Sequence, residues 1–194
     1  IINIIDNMKK IFYVSFMFIA IISMIGCNGK GKKTAQLNDK DSVVAKTEAD
    51  TTVYGVCGEG TAMHSLELIT DGGDTINYTI MDEGVDSASV LGGLLVGDRL
   101  AVIGHKVGGE NYAKTVLNLT TLQGNWTSID RNFEILEGGV VKSHLQAESN
   151  PWTEWKICNG KLLLNKDTFL IDNLGADSLY LESKDGIFAY KRQK

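Results

Sequence analysis

Proline is nearly missing from this chain: its 194 residues contain a single one, Pro151. That excludes polyproline linkers and collagen-like repeats, and it leaves almost every backbone N–H free to join a sheet. Cysteine and histidine are scarce, at three each. Three cysteines cannot build the dense disulfide framework of a small secreted scaffold. His64, His105 and His144 are scattered without an H-x-x-x-H or Cys/His ligand spacing, so no metal is expected. No apolar run reaches the roughly 20 residues that carry a helix across a bilayer; the longest, Ile11 to Ile25, stops at 15. Positive charge is not clustered either. With 19 Lys plus Arg against 24 Asp plus Glu the chain is mildly acidic, a poor partner for nucleic acid.

Catalytic signatures are equally sparse. No G-x-S-x-G and no Cys-His pairing is present. Asp82-Glu83 lies beside a predicted turn, where acidic residues collect without catalytic purpose. Gly55-x-x-Gly58-x-Gly60 and Gly92-Gly93 lack the strand-to-helix setting and the Lys-Ser/Thr of a phosphate loop, and bends at barrel corners account for them better. The expectation is a non-enzymatic protein without a cofactor.

What is present begins at Met8-Lys9-Lys10, followed by Ile11–Ile25 and then Gly26-Cys27. A positive segment, a short apolar segment and a small residue ahead of a cysteine read as a lipoprotein signal, with Cys27 the lipidated first residue of the mature chain. Met24 and Ile25 occupy positions where Leu and a small residue are more usual, but the polar break at Asn28-Gly29-Lys30 follows at once. Ile1–Asn7 precede Met8 and read as upstream read-through, so residues 1–26 are set aside. Two or three acyl chains on Cys27 would make a stable anchor where one gives marginal affinity. Asn28–Lys33 carries no acidic cluster, which suits an outer-membrane anchor facing the periplasm. Removing residues 1–26 takes away Lys9, Lys10 and Asp6, leaving 17 basic against 23 acidic side chains.

Residues 27–50 then form a tether. Asn28 to Asp50 is polar and nearly free of aromatics, so it cannot bury enough surface to offset ordering entropy; in a flexible regime it reaches roughly 25 to 30 Å. From residue 51 to 122 the pattern is short strands: Val53–Cys57, Ser65–Thr70, Thr75–Ile80, Gly97–Gly104 and Tyr112–Leu119, with Ser87–Val96 as a helical turn or irregular loop. Asp71-Gly72-Gly73-Asp74 is a hairpin signal. Five strands with a mid-chain excursion suit a small OB-like barrel. Residues 123–194 read as an eight-stranded meander: Asn125–Ile129, Asn132–Glu137, Val140–Leu145, Glu154–Cys158, Lys161–Leu164, Thr168–Asn173, Ser178–Leu181 and Ile187–Lys191. Asn159-Gly160 marks a type I′ turn. The fold class is therefore all-β, two small barrel-like domains in tandem after a disordered tether. Cys57 and Cys158 could form a disulfide in an oxidising periplasm, but they lie 101 positions apart in different domains and a bridge requires Cα atoms within about 7 Å, so buried free thiols are the preferred reading and the bridge the alternative.

The ordered runs Leu94-Leu95-Val96-Gly97-Asp98-Arg99-Leu100, Leu119 to Trp126, Trp155 to Leu162 and Leu174 to Leu181, closing with Tyr190-Lys191-Arg192, resemble the lipid-anchored, lipocalin-like lipoproteins of Bacteroides type. The resemblance covers nearly the whole mature chain. It implies that Gly124-x-Trp126 places a tryptophan at the closed base of the second barrel with Arg192 covering the ring, a structural pair. Ligand-carrying lipocalins have strands about twice as long, and a short eight-stranded barrel has room for its own side chains or one small ligand. Trp152, after Pro151 in a loop, is the candidate contact for a ligand or partner. Asp-Ser/Thr followed by an apolar residue or Thr recurs at Asp41, Asp50, Asp74, Asp86 and Asp177. This is similar to an O-glycosylation sequon of such exported proteins, which makes Ser42 and Thr51 candidate acceptors. The functional expectation is an envelope lipoprotein, membrane-bound through its lipid, whose second barrel binds a small apolar ligand or an envelope protein. The alternative is a purely structural lipoprotein with a filled barrel. An apolar void opening near Trp152 favours the first, a packed interior the second.

Overall fold

Alternation of apolar and polar residues over three to nine positions builds nearly everything in the computed structural model, which describes residues 49–80, 87–146 and 148–193. Cys27 and Ser42 lie outside them. Residues 47–194 form one compact unit. The chain is nearly all-β, a closed five-stranded barrel followed by a nearly closed eight-stranded one.

The first barrel consists of β1 (Val53–Cys57), β2 (Ser65–Thr70), β3 (Thr75–Thr79), β5 (Arg99–Val107) and β6 (Glu110–Asn118). Their order is β3-β2-β1-β5-β6, and parallel pairing of β3 with β6 closes the ring. This is the OB-like connectivity. In β2, Leu66 and Leu68 point inward and are wholly buried, while Ile69 is exposed, the period-2 pattern of a strand with one wet face. A correction concerns Ser87–Val96: in place of a helical turn or loop it holds a short strand, β4 (Ser89–Leu91), parallel to the outer part of β6.

Chain continuity between the barrels runs through one helical turn, α1 (Leu119–Leu122), where a continued strand was expected at Leu119. Asn118 explains the switch. Its side chain accepts the Thr121 N–H at 2.8 Å and donates to Gly93 O and Asp98 Oδ2, so a wholly buried amide caps the turn and ties it to two loops.

The second barrel comprises β7 (Gly124–Thr127), β8 (Asn132–Leu136), β9 (Val140–Ser143), β10 (Trp155–Cys158), β11 (Lys161–Leu164), β12 (Asp167–Leu174), β13 (Ser178–Ser183) and β14 (Gly186–Arg192). It is an up-and-down meander in which β14 returns to pair with β7. The β9 to β10 seam is held by a bridge between Val140 and Glu154 and by the Val141 N–H bonded to Thr153 O at 2.9 Å. Asn159 (φ 48°) and Gly160 (φ 75°) make the tight turn between β10 and β11.

Two hydrophobic cores result. One fills the first barrel with Leu66, Leu68, Leu100, Val102 and Val116. The other fills the second barrel and takes in Ala101 and Leu117, the outward neighbours on β5 and β6, together with Leu119 and Leu122 of α1. Leu100–Val102 of β5 and Val116–Asn118 of β6 are thus buried on both faces, and this part of the first barrel's outer wall floors the second. Cys57 is buried and Cys158 half-buried, both as free thiols. Among the described residues no helix is long and apolar enough to cross a membrane.

Candidate functional site

The two ends of the second barrel differ in chemistry. At the base, the Arg192 guanidinium lies 4.2 Å from the centre of the Trp126 ring. Arg192 also donates to Thr121 O, to Gln123 O at 2.8 Å and to Ala176 O. Trp126 is fully buried, and its indole N–H donates to Leu122 O at 2.8 Å. Burial lowers the Arg192 pKa, but with three carbonyls facing it the group stays a cation. Gly124 is required here. Its φ is +127°, and a Cβ built on it would fall 2.3 Å from Arg192 Nη1. Gly124, Trp126 and Arg192 are thus committed to one another.

A second polar node sits where the chain enters the first barrel. Asn159 Oδ1 accepts the Thr51 N–H and hydroxyl at 2.9 and 3.0 Å, while Asp50 Oδ1 accepts the N–H groups of Thr52 and Asn159. Burial opposes ionisation of Asp50, but a bond from the Thr52 hydroxyl, together with these N–H groups, outweighs it and holds its pKa below the usual carboxylate value. Thr51 is exposed, yet its hydroxyl proton is already engaged.

The barrel interior is packed. Phe133, Ile135, Leu162, Leu164, Leu179, Leu181 and Tyr190 are all at most 2% exposed. Ring edges meet ring faces: Phe133 lies 5.1 Å from both Trp152 and Tyr190, and Trp152 lies 5.6 Å from Phe169. Such aromatic pairs are each worth about 0.5 to 1.5 kcal/mol beyond their burial.

At the opposite end, above that aromatic layer, is a partly open cavity of about 520 Å³. Its floor is Trp152, Phe169, Phe188 and Tyr190, and its rim carries Asp130, Arg131, Lys166, Asp167, Lys184 and Asp185. Trp152 is only 5% exposed: it joins the core with its body and shows the cavity an edge. Two contacts fix it. Its indole N–H donates to Asp167 Oδ2 at 3.1 Å, and the Arg131 guanidinium covers its face at 4.2 Å. Arg131 is held in turn by an ion pair with Glu148, which also accepts the Ser143 hydroxyl. Burial pushes the Tyr190 hydroxyl up to about 12, so it stays a neutral phenol. Arg131, Glu148 and Asp167 escape sequence reading because closure of the barrel brings them together from three separate turns; only Pro151-Trp152 carries a local signal.

The glycine-rich stretch of the first barrel is occupied internally. The Gly60 N–H, a natural donor to a phosphate, bonds Glu67 Oε1 at 3.1 Å. On the barrel's surface Asp71 is held below its ordinary pKa by a bidentate hydrogen-bonded pair with Arg99. His105 stacks on Tyr112 at 5.9 Å, and His144 Nε2 sits 3.3 Å from Asn125 Oδ1. Among the described residues no three His, Cys, Asp or Glu side chains converge as metal ligands would.

No protein-family profile matches the chain, and no solved structure matches it. Among curated proteins it is similar to elongation factor Ts of Streptococcus suis (strain 98HAH33), at 27% identity over 164 residues, covering 76% of the chain and 46% of that protein. The chain thus spans less than half the length of that relative.

Proposed function

We propose that this protein is a non-enzymatic cell-envelope lipoprotein, anchored through Cys27, whose second barrel binds a small ligand at its mouth. The observation that carries this reading is the mouth cavity of about 520 Å³, with an aromatic floor and a charged rim above a filled interior. Pockets that take small molecules combine an apolar wall with a few placed polar groups. The filled interior argues against a wholly apolar guest carried inside the barrel and favours an amphipathic one: a flat apolar body on Phe169 and Phe188, and polar groups toward Lys166 and Lys184. The second reading is a purely structural lipoprotein, which the buried interior would suit; the mouth cavity is what supports the binding reading.

The test is mass spectrometry of small molecules released from the full-length protein purified from membranes of a host that lipidates it. Wild type should release a recurring compound in stoichiometric amount, and Lys166→Glu with Lys184→Glu should release little. An empty eluate, or an unchanged one from the double variant, would refute ligand binding at the mouth. Cys27→Ser should leave both barrels folded and move the protein to the soluble fraction; membrane retention of that variant would refute the anchor.

A further inference from the structure

We propose that the cleft where the two barrels meet binds an uncharged saccharide, with sugar rings against Tyr54 and Trp155 and their hydroxyls bonded to Arg99, Gln123 and Glu137. The cleft is open and measures about 530 Å³. Both barrels line it: Tyr54 of β1 and Arg99 of β5 come from the first, Glu137 and Trp155 from the second, and Gln123 from the connection after α1. It shares no lining residue with the mouth cavity, so it does not depend on the reading given for that end. Its size falls within the roughly 300 to 1,000 Å³ of small-molecule pockets, which favour the junctions of domains.

The two aromatic residues have their polar atoms engaged inside the protein. The Tyr54 hydroxyl donates to Ile157 O at 2.9 Å, and the Trp155 indole N–H donates to Leu136 O at 2.7 Å. What these half-buried side chains offer the cleft is therefore ring carbon, held in a fixed place. A carbon surface of that kind suits the C–H face of a sugar, whose hydroxyls project around the ring's edge. The Glu137–Gly139 turn lies directly against β10, since a Cβ built on Gly139 would come within 3.1 Å of Trp155 O. Backbone packing thus sets Glu137 beside the aromatic wall.

The polar lining shows the reverse: its hydrogen-bonding capacity is still open. Asp71 takes two of the five guanidinium N–H donors of Arg99. Among the described residues, the side chains of Gln123 and Glu137 have no hydrogen-bond partner within the protein. A guanidinium donates, a carboxylate accepts and an amide does both, which is what a run of hydroxyls requires, each being donor and acceptor at once. Charge does not select an ion instead. Arg99 is paired with Asp71, and Lys156, the other cation in the lining, lies within electrostatic reach of Asp50. No uncompensated cation is left to hold a phosphate or carboxylate.

Binding of the full-length chain carrying Cys27→Ser to an array of immobilised neutral and acidic oligosaccharides tests the proposal. It should bind one or more neutral glycans, and the same oligosaccharide free in solution should compete. Gln123→Ala with Glu137→Ala removes two side chains that make no hydrogen bond in the fold, so circular dichroism should be unchanged. Calorimetric titration with the oligosaccharide selected on the array should then show affinity reduced about tenfold or more. Lys166→Glu with Lys184→Glu, at the mouth, should leave that affinity as it was. No binding on the array, binding confined to acidic glycans, an affinity untouched by the Gln123 and Glu137 changes, or one abolished by the mouth changes would each overturn the proposal.

Discussion

Single residues in the second barrel act through what surrounds them. Gly124 matters because Arg192 fills the space a side chain would need, and Arg192 matters because it satisfies three carbonyls and covers Trp126. Gly124→Ala should therefore cost about 2 kcal/mol or more, combining a strained positive φ with displacement of the guanidinium. Urea denaturation will check it, and because the two residues are in contact, the cost should shrink in an Arg192→Lys background. Tyr190 offers a pH test. Its pKa rises from 10.0 to about 12 on burial, so the folded state holds the phenolic proton more tightly than the unfolded state does. The stability this contributes is complete below pH 10 and is lost as pH climbs toward 12. Tyr54 and Tyr78 are raised as well by burial, so the measurement is a difference: wild type should lose more stability over that interval than Tyr190→Phe.

At the scale of elements, sequence patterning located the strands well and the exceptions have physical causes. Leu66-Glu67-Leu68 and Leu179-Tyr180-Leu181 alternate inward and outward, and Gly73 and Asn159-Gly160 supply the positive φ that their turns need. β4 was not legible, because Ser89–Leu91 becomes a strand through parallel pairing with Thr115–Leu117, a contact no local window contains. Nor was α1, whose four residues include Thr120 and Thr121, poor helix formers; the turn exists because Asn118 caps it and Leu119 and Leu122 are buried beneath the second barrel. Asn118→Ala should cost about 1 to 3 kcal/mol, since it removes the cap and strands the Gly93 and Asp98 acceptors. Thermal denaturation will measure that loss. The site was legible only in part: Trp152 stands out after Pro151, whereas Arg131 and Glu148 are 17 positions apart and meet only once β7 through β10 have curled round.

For the whole molecule, the shared core decides the behaviour. Ala101 and Leu117 of the first barrel pack into the second barrel's cluster, the Tyr54 hydroxyl donates to Ile157 O at 2.9 Å, and Asn159 grips the chain at Thr51. The two barrels should unfold as one. Trp126, Trp152 and Trp155 all lie in the second barrel, so tryptophan fluorescence should trace the same denaturation curve as far-UV circular dichroism, which senses both; separated midpoints would mean independent domains. The binding reading also belongs to this scale, since it places the ligand at the barrel end remote from the first barrel. Hydrogen exchange of the full-length protein, as purified from its native host and again after solvent stripping of small molecules, tests it most directly. The account predicts faster exchange after stripping in residues 128–131, 165–169 and 183–190, with β8 and β11 unchanged. Identical exchange before and after, or a change centred on the base around Trp126, would contradict it.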